Sequence, residues 1–188
     1  QMRLLLEVDV NMQRAQRVVD YLDIKSEASD TIPEKDSQVS RGWPNKGEIT
    51  FSKVFMKYRE DLGFALKGLS LQVPGGLKVA CIGRTGAGKS SIIQAMFRMT
   101  EIEKGGMDYK DSSIRIDGVN IGGIGLNLLR SRLSIIPQVP VVFTGTIKRN
   151  LDPFGNLSDY ELWKVLEDVG LKQHVASLEH KLETDMTV

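Results

Sequence analysis

The chain has 188 residues and only one cysteine, Cys81, so it holds no internal disulfide. A small scaffold stapled by disulfides is excluded, and a reducing compartment suits the composition. Charge of one sign is not in excess: 25 Lys and Arg face 24 Asp and Glu, a net charge of +1. Nothing argues for a nucleic-acid or membrane-surface footprint, and no nucleic-acid partner is expected. No apolar run approaches the ~18 residues of a membrane-spanning helix. No signal peptide, internal repeat or low-complexity tract is visible. What remains is an ordinary globular composition, 41% hydrophobic and 26% charged, with room for one domain or most of one. The first residue is Gln1, and neither end carries a start or stop signal; the expectation is a piece of a longer polypeptide.

The informative stretch is Gly83-Arg84-Thr85-Gly86-Ala87-Gly88-Lys89-Ser90. It fits G-x-x-x-x-G-K-[ST], a pattern expected by chance in on the order of 1% of chains this long. The run Val79-Ala80-Cys81-Ile82 before it reads as a buried strand, with Cys81 as a small core residue. Ser91 to Arg98 after it reads as a helix. Strand, glycine loop and helix together are the context of a phosphate-binding loop. A triphosphate needs backbone N–H groups curled around its oxygens, and glycine takes that curl at low cost. The helix adds its unpaired N–H groups and positive dipole end. Lys89 then reaches the β- and γ-phosphates, Ser90 offers a hydroxyl to Mg²⁺, and Ser91 touches the α-phosphate.

The rest of the chain frames this loop. Leu4, Val8, Met12, Ala15, Val19 and Leu22 recur at helical spacing, predicting a helix over residues 1–24. Residues 25–46 are polar, contain Pro33 and Pro44, and read as a linker. Strands are expected over 48–58, 65–73, 78–82, 113–118 and 133–137. Residues 100–112 form a charged excursion, and 126–132 a short helix. Ser158-Asp159-Tyr160-Glu161 is a capping box that opens a helix with Leu162, Leu166 and Val169 inward and Gly170 at its end. Asp117, followed by Gly118 and preceded by Arg115 in place of an apolar residue, reads as a turn residue. His174 and His180 read as surface residues.

Several stretches carry a resemblance in order and spacing. They are Trp43-Pro44-x-x-Gly47-x-Ile49-x-Phe51, Tyr58-Arg59, the loop from Gly83 to Ser91, and Ile116-Asp117-Gly118. Leu129-Arg130-Ser131-Arg132-Leu133-Ser134-Ile135-Ile136-Pro137-Gln138 and Phe143-x-Gly145-Thr146-Ile147-x-x-Asn150-Leu151-Asp152-Pro153-Phe154 complete them. From Trp43 onward the chain resembles the nucleotide-binding domain of an ATP-binding-cassette (ABC) transporter of the C subfamily, the multidrug-resistance-associated type. The wording around the loop resembles the second of two cassettes.

The resemblance implies an α/β fold: a P-loop NTPase (ABC ATPase) core with an antiparallel β subdomain and the start of a helical subdomain. It makes residues 1–24 the cytoplasmic tail of a preceding transmembrane domain and 47–188 the N-terminal part of the cassette, incomplete. It implies ATP and Mg²⁺ as cofactors, with Tyr58 stacking on adenine and Gln138 as the Q-loop glutamine. Gln138 would ligate Mg²⁺ beside Ser90 and serve catalysis with Lys89. ATP would be held by Tyr58, Gly83, Arg84, Thr85, Gly86, Ala87, Gly88, Lys89, Ser90 and Ser91. The implied partners are a second cassette and transmembrane domains, and the implied place is the cytoplasmic side of a membrane.

No signature motif, Walker B aspartate, following glutamate or switch histidine occurs; in the family these come later in the domain. Val139 departs from the acidic residue usual after the glutamine, and the 100–112 excursion is several residues longer than the family norm. An ATP-gated module with little hydrolysis is the alternative. A GTPase would need Asn-Lys-x-Asp, which Asn45-Lys46-Gly47-Glu48 fails at its last position.

Overall fold

The computed structural model describes residues 2–24, 26–104 and 109–186. The side chains of 2–6, including Leu4 of the helical stripe, lie outside that set, as do positions 105–108 of the excursion. The chain divides into two compact units, Gln1–Ser134 and Ile135–Val188.

The first unit opens with α1, Met2–Leu22. Val8, Met12, Val19 and Leu22 of its apolar stripe are exposed. The segment that follows is tied down rather than loose. Its short helix α2, Pro33–Asp36, begins with proline at the position where the missing N–H costs nothing. Trp43 is buried, and its indole N–H donates to the Ile116 carbonyl at 2.8 Å.

An antiparallel sheet forms the body of this unit. Its strands are β1 (Ile49–Met56), β2 (Leu66–Val73), β3 (Ser113–Ile116) and β4 (Val119–Asn120), in the order β2-β1-β3-β4. The imperfect alternation of β1 in the sequence has a structural cause. Lys53 takes φ of 42° and the register slips between Phe51 and Val54, so Phe51, Val54 and Met56 all reach the core. A bulge of this kind inserts one residue without turning the rest of the strand outward. Helix α3, Lys89–Met96, adds Ala95 to the core, and helix α4, Leu126–Ser131, adds Leu129.

Several expectations need correction. Residues 78–82 and 133–137 do not form strands. Ile82 and Ile136 are 94% and 97% exposed. Both runs have strand-forming residues, but a strand also needs a hydrogen-bonded neighbour, and none lies beside them among the described residues. For the same reason Cys81 is exposed and not a core residue.

In the second unit, β5 (Gly145–Thr146) pairs antiparallel with β6 (Asp185–Met186). Helices α5 (Ile147–Leu151), α6 (Asp159–Asp168) and α7 (Lys172–Ser177) complete it. Leu162, Leu166, Val175 and Leu182 form its core. The capping box is present: the Ser158 N–H donates to Glu161 at 2.8 Å, and the Glu161 N–H donates back to the Ser158 hydroxyl at 3.4 Å. Val169 is exposed rather than inward, because α6 ends at Asp168 and the next residue leaves the helical path. His174 and His180 are exposed. Among the described residues no helix is long and apolar enough to cross a membrane.

Candidate functional site

The glycine loop lies in the first unit, directly before α3. Gly86 takes φ of 80° and Gly88 takes 88°, a region that side-chain-bearing residues avoid. Gly88 is doubly constrained. A Cβ there would meet the Ala65 carbonyl oxygen at 2.9 Å, so the loop's exit is pressed against the start of β2. Any other residue would push the helix off the sheet.

Lys89 folds back over the loop. Its ammonium donates to the carbonyls of Gly83 at 2.7 Å and Arg84 at 2.8 Å. The charge therefore sits at the mouth of the curl, where a phosphate would be met. The Ala87 N–H donates to the Arg84 carbonyl at 3.1 Å, closing the turn at Thr85-Gly86. Arg84, Thr85, Gly86, Ala87 and Ser90 are exposed, so the rim is open to a ligand.

Tyr58 and Ser91 are brought together. Their hydroxyls share a hydrogen bond of 2.8 Å, with Ser91 5% exposed and Tyr58 47% exposed. The bond joins the residue expected to stack on adenine to the one expected to touch the α-phosphate. It fixes the tyrosine's polar tip on α3 while much of its ring faces solvent. An aromatic held this way offers a flat surface at little entropic cost.

Gln138 falls in the second unit, exposed, in a stretch without regular structure. Nearby, Asn150 acts as a backbone clamp. It accepts from the Phe143 N–H and donates to the Phe143 carbonyl, both at 2.8 Å, and donates to the Thr146 carbonyl at 3.0 Å. Asn150 was part of the family wording without a role; its role is to shape this loop. Asp152 accepts from the Leu157 N–H at 2.7 Å, and this bond holds its carboxyl below the usual range against the opposing effect of burial.

Asp117 is the turn residue the sequence suggested, and more. Its carboxylate accepts the N–H groups of Asn45, Lys46, Gly47 and Glu48 at 2.6, 2.8, 3.2 and 2.8 Å. Burial alone would raise its pKa, but the backbone hydrogen bonds, led by that of Glu48, hold it below the ordinary aspartate value.

Two arginines went unassigned in the sequence. Arg98 is buried and donates to the carbonyls of Ile121 and Ile124 at 3.0 and 2.8 Å and to Glu101 at 2.6 Å. Arg130 donates to the carbonyls of Phe97 and Arg98, both at 3.1 Å, and to both carboxylate oxygens of Glu27. Nothing in local sequence could reveal a pair 103 positions apart.

Among the described residues no group of three or more His, Cys, Asp or Glu is placed to hold a metal. In the first unit the Ser90 hydroxyl is an oxygen donor, the type Mg²⁺ takes when phosphates and water supply the rest of its shell.

A glycine-lined bend, a lysine over it and a helix behind it define a P-loop nucleotide-binding protein. The ABC transporter family model matches residues 66–186, and the chain belongs to that family, as part of its nucleotide-binding domain. The chain is 48% identical over 170 residues to the ABC-type transporter cicA of Emericella nidulans, covering 90% of this chain and 12% of that protein. It is 40% identical over 188 residues to human ATP-binding cassette sub-family C member 2, covering 98% and 11%. It is 41% identical over 194 residues to ABC transporter C family member 14 of Dictyostelium discoideum, covering 97% and 14%. The chain thus spans between 11% and 14% of the length of these three relatives.

Proposed function

We propose that this chain is the nucleotide-gripping part of a C-subfamily ABC transporter, and that the full-length protein hydrolyses ATP to move a solute across a membrane. The observation that carries this reading is the Lys89 ammonium at 2.7 and 2.8 Å from the Gly83 and Arg84 carbonyls, over a loop bent through two left-handed glycines. In this reading the loop amides from Gly83 to Ser91 surround the phosphates and Tyr58 stacks on adenine. Mg²⁺, held by Ser90 and Gln138, would neutralise charge on the phosphate oxygens. Lys89 stabilises the charge on the transferred phosphoryl, and Gln138 orients the attacking water.

Catalysis here is positioning and charge stabilisation, so it requires closure by a second cassette. Movement then passes to transmembrane domains, which places this domain on the cytoplasmic side. The fungal and Dictyostelium relatives are named as transporters, which favours transport over an ATP-gated module with little hydrolysis.

The test is ATPase turnover of the full-length protein. Lys89→Ala removes a donor to the transition state and should lower kcat by about 100-fold or more. Turnover at the wild-type rate would refute the assignment.

A further inference from the structure

Helix α3 grips at its N-terminal end, but its other end is also held. It carries eight residues, and the chain leaves it through Phe97 and Arg98, the latter at φ of 51°. The carbonyls of these two residues both accept from Arg130, at 3.1 Å each. A guanidinium in this place satisfies carbonyls the helix leaves unpaired and complements its negative dipole end.

Arg130 is held in turn by Glu27, at 3.1 and 2.9 Å, in the segment between α1 and α2. The same segment docks on α4. The N–H groups of Leu126 and Asn127 donate to the carbonyls of Ser29 and Asp30 at 3.1 and 3.0 Å. Asp36 accepts from the Gly125 N–H at 2.8 Å.

We propose that Arg130 and Glu27 are positioning residues for the P-loop helix, joining the segment after α1 to the phosphate grip. The inference rests on the reading of Gly83 to Ser91 as that grip. Arg130 uses its Nε and both Nη atoms, so its plane is fixed by four acceptors at once. Glu27 contributes little as an isolated surface ion pair. Its effect is to select the one arginine rotamer that reaches Phe97 and Arg98. A short rigid helix fixed at its C-terminal end presents its N-terminal amides in one orientation. The coupling is reciprocal: a nucleotide that orders α3 also tightens the dock of residues 26–36 on α4. A lysine at 130 would keep the charge and lose the planar fork.

The test uses the full-length protein as wild type, Glu27→Gln, Arg130→Lys and, as a control, Lys89→Ala. Glu27 is exposed, so Glu27→Gln leaves the core untouched. The expected result is a KM for ATP raised roughly three- to tenfold in Glu27→Gln and Arg130→Lys, with kcat within about twofold of wild type. Hydrogen exchange at the Leu126 and Asn127 amides should slow on addition of Mg-ATP in wild type, slow less in Glu27→Gln, and not respond in Lys89→Ala. Unchanged KM in both variants and wild-type exchange in Glu27→Gln, with ATP binding weakened about tenfold or more in Lys89→Ala, would overturn this proposal alone. ATP affinity equal to wild type in Lys89→Ala would overturn the reading of the loop, and this proposal with it.

Discussion

Asp117 illustrates what one side chain can do at a junction. Four N–H groups of residues 45–48 converge on its two oxygens, and Trp43 bonds the neighbouring Ile116 carbonyl. The entry to β1 is thereby fastened to the β3–β4 turn. An asparagine keeps one acceptor and turns an amide group toward an N–H, so Asp117→Asn should cost about 1–3 kcal/mol of local stability. Hydrogen exchange at residues 45–48 should accelerate roughly tenfold at neutral pH. The pH dependence has a fixed sign. The folded-state pKa lies below the ordinary value of 3.8, so the stabilisation is present above that pH and is lost as pH falls through the lowered value. The gap between wild type and variant should therefore close below about pH 4. A gap that widens on acidification would contradict the carboxylate's role. The sequence marked Asp117 as a turn residue because an Asp-Gly pair is a local signal. The four amides it gathers, about 70 positions away, left no such signal.

At the scale of elements, the same division between local and distant causes holds. The P-loop, α6 with its capping box and the Asp117-Gly118 turn were legible because each is specified within a few residues. The runs at 78–82 and 133–137 carry strand-favouring residues but form no strand, because pairing depends on a neighbour elsewhere. Cys81 followed its run outward for that reason. Lys53 shows the converse: a strand with faulty alternation holds its register because a bulge absorbs the extra residue. The capping box offers a direct check. Ser158→Ala removes both the acceptor for Glu161 N–H and the hydroxyl bond at 2.7 Å to its carboxylate. It should cost about 0.5–2 kcal/mol, seen as lost exchange protection in the first turn of α6. Protection equal to wild type would show that the core of Leu162, Leu166, Val175 and Leu182 sets the helix start alone.

Across the whole molecule, the features proposed to serve a nucleotide are held by non-local contacts. The loop exit abuts Ala65, Tyr58 reaches Ser91, and the far end of α3 is fastened through Arg130 to Glu27. The chain belongs to the ABC transporter family, and in the proposed reading these contacts hold the nucleotide site. The most direct measurement is equilibrium binding of Mg-ATP to the full-length protein and to Lys89→Ala. Wild type should saturate at roughly millimolar nucleotide or below, with affinity about tenfold or more weaker once the ammonium is gone. Failure of the wild type to bind at that concentration, or equal affinity in the two proteins, would contradict the account.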